Sequence, residues 1–268
     1  MNSQIFGVEC ITSKSNSTVT RISKLLQKKA RKEERLFTLD GIKLFVEAYK
    51  FGAKIKYIVL LEDAAIEESI LNMILEKKKN GTTVLCVNEA VFSKMTEEFS
   101  PQGIITVCEF LNTGSDFSFG DDERIMAFES VRDPGNIGAI IRNAAAFGID
   151  RLVLSSDCAD IYSQKVIRAA MGAIFKVKIC IADSFSDILN ELGKKRRIIS
   201  TTLKENSLKL GVSPINKTDV FVIGNEGHGV SQETIDLSCE TLFIPMCENT
   251  ESLNASVAAA ILMWEMYK

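Results

Sequence analysis

At 268 residues, 46% apolar and 25% charged, the chain is long enough for about two domains, each with its own core. It has no uncharged apolar run of membrane-spanning length, its first residues lack the charged n-region and apolar core expected of a secretory signal, and Glu9 speaks against a transit peptide. The net charge of −3 hides an asymmetry: residues 1–56 hold twelve Lys/Arg against five Asp/Glu, hence +7 there and −10 beyond, and a basic end suits a polyanionic partner.

Residues 1–17, polar and Ser/Thr-rich without periodicity, are expected to form a flexible arm. The spacing from Arg21 to Arg35 predicts one helix. Arg21, Lys24, Lys28, Lys32 and Arg35 share a face of it, and Ile22, Leu25 and Leu26 point elsewhere. That face is read either as a solvated surface or as a contact with nucleic-acid phosphates. The strand-like runs LFTLD, IKYIVLL, TTVLCV and GIITVCEF alternate with the helical GIKLFVEAYKFG, AAIEESILNMILEKKK and NEAVFSKMTEEF. This alternation predicts a small α/β sandwich over residues 18–111. Gly, Ser and Asp then mark a linker over 112–122, ahead of a second domain over 123–268.

The second domain opens with a buried strand from Ile125 to Glu129, a turn containing Pro134 and Gly135, and a helix. Asn136 is expected to cap that helix, and Gly148 to end it in a left-handed conformation. The turn delivers Asn136 to the carboxyl end of a strand, where open α/β sheets place their chemistry. Arg142 follows among Ile140, Ile141, Ala144, Ala145 and Phe147, company in which a cation needs either water or an anion. Beyond it, RLVLSS, VKICI, RIISTTL, DVFVIG and TLFIPM read as strands. SQKVIRAAMGAIFKV, SFSDILNELGKKR and SLNASVAAAILMWEMYK read as helices, and Lys194–Arg197 as a favourable helix C-terminus.

Seven cysteines without a C-x-x-C pair fit reduced thiols in a cytoplasmic protein, and the single histidine, His228, supports no metal site. The loop GNEGHGV lacks a G-K-[ST] continuation, which disfavours a nucleotide triphosphatase. Its glycines, Gly224, Gly227 and Gly229, let the backbone turn sharply and approach a ligand, leaving Glu226 little shielded. His228 reads as an exposed turn residue. In SLNASVAAA the small residues permit close helix packing, which leaves the polar Ser252 and Asn254 to be explained.

Taken together, DPGNIGAIIRNAAAFG, VIGNEGHG and IPM followed by ESLNASVAAAIL resemble, in order and separation, the three motifs of the SpoU family of RNA ribose 2′-O-methyltransferases in the SPOUT superfamily. LDGIKLFVEA and PQGIITV resemble the substrate-binding domain that precedes it in relatives, itself similar to ribosomal proteins that bind kinked RNA. The resemblance implies a C-terminal α/β domain with a deep trefoil knot, S-adenosylmethionine held by the knot loops, and a homodimer formed through this domain. Matching positions put cofactor contacts at Thr201, Gly224, Ile244 and Leu253, and the reaction centre at Asn136, Arg142, Glu226, Ser252 and Asn254. Asn143, Ala170 and the segment FTLDG depart from the family's usual residues, which bears on substrate choice and on the N-terminal boundary.

The implied reaction is displacement at the cofactor's methyl carbon by a ribose 2′-oxygen. An arginine acting as base would have to be neutral, which at pH 7 costs roughly 7 kcal/mol for an ordinary guanidinium. The preferred reading keeps Arg142 charged, binding a phosphate and stabilising developing alkoxide charge, with Glu226 orienting it. The expected substrate is structured RNA, ribosomal and preferably 23S, approached through the basic N-terminal domain without metal or membrane. A tRNA substrate and an RNA-binding protein without catalysis are the alternatives.

Overall fold

Residues 1–17 fold instead of trailing as an arm, because their polar groups find partners. Asn2 Nδ2 donates to the carbonyls of Leu61 (2.8 Å) and Ala64 (3.1 Å), and the Ser3 N–H donates to Glu62 (3.1 Å). The computed structural model describes residues 1–111, 118–203, 206–212, 214–247 and 252–268, so the first six linker positions lie outside it. The chain divides into two units, Met1–Leu111 with Tyr162–Ile167, and Asn112–Ile161 with Arg168–Lys268.

The first unit runs α1 (Asn2–Phe6), β1 (Cys10–Ile11), α2 (Ser17–Lys24), α3 (Lys28–Glu34), β2 (Leu36–Asp40), α4 (Ile42–Lys50), β3 (Ile55–Leu61), α5 (Glu68–Lys79), β4 (Thr83–Val87), α6 (Glu89–Phe92) and β5 (Ile104–Glu109). Its mixed sheet has the order β1-β4-β3-β5-β2, with β1 parallel to β4. Val19 and Ile22 of α2, with Leu25 just after it, pack with Val59, Ile105 and Val107 of the sheet. Tyr162, distant in sequence, stacks on Phe110 at 3.9 Å, and Gln164 Nε2 donates to the Thr38 carbonyl (3.0 Å).

The single helix expected from Arg21 to Arg35 is two helices. Arg31 is 4% exposed, and its guanidinium donates to the carbonyls of Leu25 (2.8 Å) and Leu26 (2.7 Å), which the break leaves open. A buried guanidinium needs such acceptors, and an unbroken helix would have used them itself. The five-residue basic face is lost with the break. Arg21 pairs with Glu34, and Arg35, at φ +52°, lies over the Phe110 ring. The helix expected over residues 88–99 is also short, stopping at Phe92. Beyond it the Thr96 hydroxyl accepts the Glu98 N–H (2.9 Å) and donates to Asp40.

The second unit runs β6 (Ile125–Phe128), α7 (Pro134–Ala146), β7 (Arg151–Ser155), α8 (Gln164–Ala170), β8 (Lys178–Ala182), α9 (Phe185–Gly193), β9 (Ile198–Thr201), β10 (Leu208–Lys209), β11 (Val220–Ile223), α10 (Gln232–Leu237), β12 (Glu240–Phe243) and α11 (Ala255–Tyr267), the first four residues of α8 belonging to the first unit. Its seven strands among the described residues are all parallel, in the order β10-β12-β9-β11-β6-β7-β8. Strands β6, β7 and β11 are buried along their whole length, which explains the unbroken apolar sequence of β6 and β11 and the apolar centre of β7. The helix expected over 163–177 stops at Ala170, where Met171 (φ +51°) and Gly172 (φ +85°) turn left-handed. Glu123 accepts from Arg151 (3.1 Å) and Lys178 (2.9 Å). Burial pushes its carboxyl up, but these two cations outweigh burial and hold it below the ordinary range. Among the described residues no helix is long and apolar enough to cross a membrane.

Candidate active site

The turn after β6 is built differently from the expectation in one respect. Asp133, not Asn136, caps α7: its carboxylate accepts the Asn136 N–H (2.9 Å), and Pro134 fills the first helical turn, where a missing N–H costs nothing. Asp-Pro ahead of an apolar helix was the available signal for this cap. The arrangement frees the Asn136 side chain, which is 8% exposed. Its Nδ2 donates to Glu226 Oε1 (2.8 Å), and its Oδ1 accepts from Asn254 Nδ2 (2.9 Å). Asn254 in turn caps α11, its Oδ1 accepting the N–H groups of Ser256 (2.9 Å) and Val257 (3.3 Å). Three chain segments, each from a different motif, thus meet through one amide.

The GNEGHG loop closes on itself, with Asn225 N–H donating to the Gly229 carbonyl (3.0 Å) and Gly229 N–H to that of Asn225 (2.9 Å). A Cβ on Gly224 would stand 2.1 Å from the Gly229 carbonyl carbon, so no other residue fits there. Asn225 Oδ1 accepts the N–H groups of Gly227 (2.9 Å) and His228 (3.2 Å), and its Nδ2 donates to the Ser130 carbonyl (2.8 Å). The bond from Asn225 to the Ser130 carbonyl spans 95 positions, so no local sequence signal reports it. His228 is an exposed turn residue.

Beside this loop lies a cavity of about 590 Å³, within the usual size of small-molecule sites. Thr201, Gly224, Ile244 and Leu253 all line it, with Leu242, Ala255 and Ala258 adding apolar surface. The Thr201 hydroxyl is already committed to the Val222 carbonyl (3.0 Å). Among the described lining residues there is no Lys or Arg, and Glu226 is the single carboxylate. That lining is poorly matched to phosphates. It suits a nucleoside carrying a positive sulfonium, read by backbone groups, and so fits S-adenosylmethionine. Ser252 also lines the cavity.

Arg142 is not gathered with the others. It is exposed and has no hydrogen bond or ion pair among the described residues. Six helical residues carry it about 9 Å along α7 and about 240° around the axis from Asn136. Among the described residues Glu226 bonds the amide of Asn136 and makes no bond to Arg142. Asn143, the departure beside it, reaches the Ser256 carbonyl at 3.4 Å.

Residues 123–264 match the model of the SpoU rRNA methylase family, and residues 16–106 that of the MRM3-like substrate-binding domain. The chain is 28% identical to the 23S rRNA (guanosine(2553)-2′-O)-methyltransferase RlmP of Bacillus subtilis, covering 96% of this chain and 98% of that one. The solved structure of an AdoMet-bound rRNA methyltransferase from Sinorhizobium meliloti superposes with a TM-score of 0.86 at 29% identity, over 96% of this chain and 97% of that one. The SpoU methyltransferase AviRb from Streptomyces viridochromogenes shares the fold, with a TM-score of 0.83 at 21% identity, over 94% of this chain and 97% of that one. The chain belongs to the SpoU rRNA methylase family and is an RNA 2′-O-methyltransferase that uses S-adenosylmethionine.

Proposed function

We propose that the protein methylates a ribose 2′-oxygen in structured ribosomal RNA, with 23S rRNA the favoured substrate. The observation that carries this reading is the Asn136–Glu226–Asn254 network beside a cavity without cationic lining among its described residues. Thr201, Gly224, Ile244 and Leu253 would hold S-adenosylmethionine, largely through backbone groups. Bound there, the cofactor supplies an electrophilic methyl group on a sulfonium. Asn136, Ser252 and Asn254 shape the site around the ribose, and Glu226 is fixed through Asn136. Arg142 stays charged. Its exposure suits capture of an RNA phosphate and stabilisation of charge developing on the 2′-oxygen.

The N-terminal region, 18–111, serves as an α/β sandwich that recognises kinked RNA, joined by the linker 112–122 to the catalytic region 123–268. A trefoil knot in the latter is supported by the family motifs that this region carries. The working form is a cytoplasmic homodimer formed through the catalytic region, with no metal.

Arg142→Ala should lower methyl transfer at least a hundredfold, while calorimetry with S-adenosylmethionine gives an affinity within about threefold of wild type. Loss of cofactor binding, or full activity, would remove Arg142 from the reaction.

A further inference from the structure

Ser130, between β6 and α7, has φ +55°, a left-handed conformation that is strained for a non-glycine residue and persists only where its surroundings hold it. Here they do. The Ser130 N–H donates to Ser155 Oγ (2.8 Å), and its own Oγ donates to Asp157 Oδ2 (2.6 Å). The same carboxylate accepts from Ser155 Oγ at Oδ1 (2.7 Å) and from Arg132 Nη2 at Oδ2 (3.2 Å). Burial pushes the Asp157 carboxyl up, but these donors outweigh it and hold it below the ordinary range, so it is a charged acceptor at neutral pH.

The conformation fixed in this way points the Ser130 carbonyl at Asn225 Nδ2 (2.8 Å). The other end of that amide holds the N–H groups of Gly227 and His228, which set the loop carrying Glu226. Asp157 is bonded to none of Asn136, Glu226 and Asn254, and it does not line the cavity.

We propose that Asp157 is a positioning residue for methyl transfer: by clamping Ser130 in its left-handed turn it fixes Asn225, and through Asn225 it sets the Glu226 carboxylate against Asn136. The inference rests on the reading of Asn136 and Glu226 as parts of the reaction centre. It explains why a serine occupies a position where glycine would be free of strain, since the hydroxyl is what the carboxylate grips.

The test is a set of variants assayed with full-length protein, S-adenosylmethionine and rRNA. Asp157→Ala should lower kcat by between about ten- and a hundredfold, the usual consequence of a misplaced site group, with KM for the cofactor within about threefold. Asp157→Asn should recover part of the loss, because an amide can still bond Ser130 and Ser155. Adding Ser130→Gly to Asp157→Ala should also recover activity, because glycine adopts the turn unaided. In a Glu226→Ala background, Asp157→Ala should have little further effect.

A kcat unchanged by Asp157→Ala overturns the proposal. So does an equal loss in the wild-type and Glu226→Ala backgrounds, which would mark Asp157 as a general fold residue. If Glu226→Ala alone retains full activity, the reading of the reaction centre fails first and the clamp loses its purpose with it.

Discussion

Asn136 uses both ends of its amide, donating to Glu226 and accepting from Asn254, so a change of one atom alters the charge balance with little change in shape. Asn136→Ala removes both bonds. Asn136→Asp keeps the bond from Asn254 but sets a second carboxylate against Glu226, and two such groups share one proton more readily than they ionise together. At pH 8 the Asp variant should therefore be slower than the Ala variant, by several-fold up to about tenfold given the exposure of Glu226. Equal rates for the two variants would mean that Asn136 and Glu226 do not face each other during turnover. The residue types of this site were legible from three short motifs, although Asn136 and Glu226 are 90 positions apart, and Asn136 and Asn254 118. Which atoms bond was not legible. Spacing along a helix gives the phase of a side chain but not its partner, so Arg142 could be named while its separation from Glu226 could not.

Elements were most legible where periodicity alone decides them. IKYIVLL is β3 over its full length, and the apolar strands of the second unit follow from burial on both faces. The segment from Arg21 to Arg35 was misread because one buried guanidinium outweighs a regular charge spacing: Arg31 takes two carbonyls and the helix gives them up. What survives of the basic face is Lys24, Lys28 and Lys32, all exposed and without hydrogen bond or ion pair among the described residues. They now sit on two helices joined by a turn, so they can reach phosphates along a bent path better than along a straight one. Replacing all three with Glu should weaken RNA binding. It should also flatten the dependence of log K on log salt by about 0.7–0.9 for each phosphate that the lysines no longer neutralise. A slope equal to that of the wild type would return these lysines to the solvated surface.

At the scale of the whole molecule, sequence order and spatial order diverge in a way that no local pattern reports. Strand β11 lies between β6 and β9, pairing Phe221 with Met126 on one side and with Ile199 on the other. Local periodicity carries no information about which strand becomes a neighbour, so the expectation of a knot came from the motifs alone. The last helix poses a different problem. The sequence of α11, ASVAAAILMWEMY, is apolar on every side with a single charge, a composition that belongs to a fully covered helix. Yet Val257, Trp264 and Tyr267 are each about half exposed, and Trp264 lies with Phe147 of α7's end (6.0 Å) and Tyr267 (5.9 Å) in one aromatic cluster. A second copy of the chain is the occupant that would cover such a face symmetrically, as the proposed homodimer requires. Sedimentation equilibrium at micromolar concentration should give twice the chain mass for the wild type. Trp264→Glu combined with Tyr267→Glu should give the single-chain mass, because two buried unpaired carboxylates cost far more than a typical interface can offset. A wild-type protein that stays monomeric throughout that range would leave the face to another partner, and a dimer untouched by both charges would move the interface elsewhere.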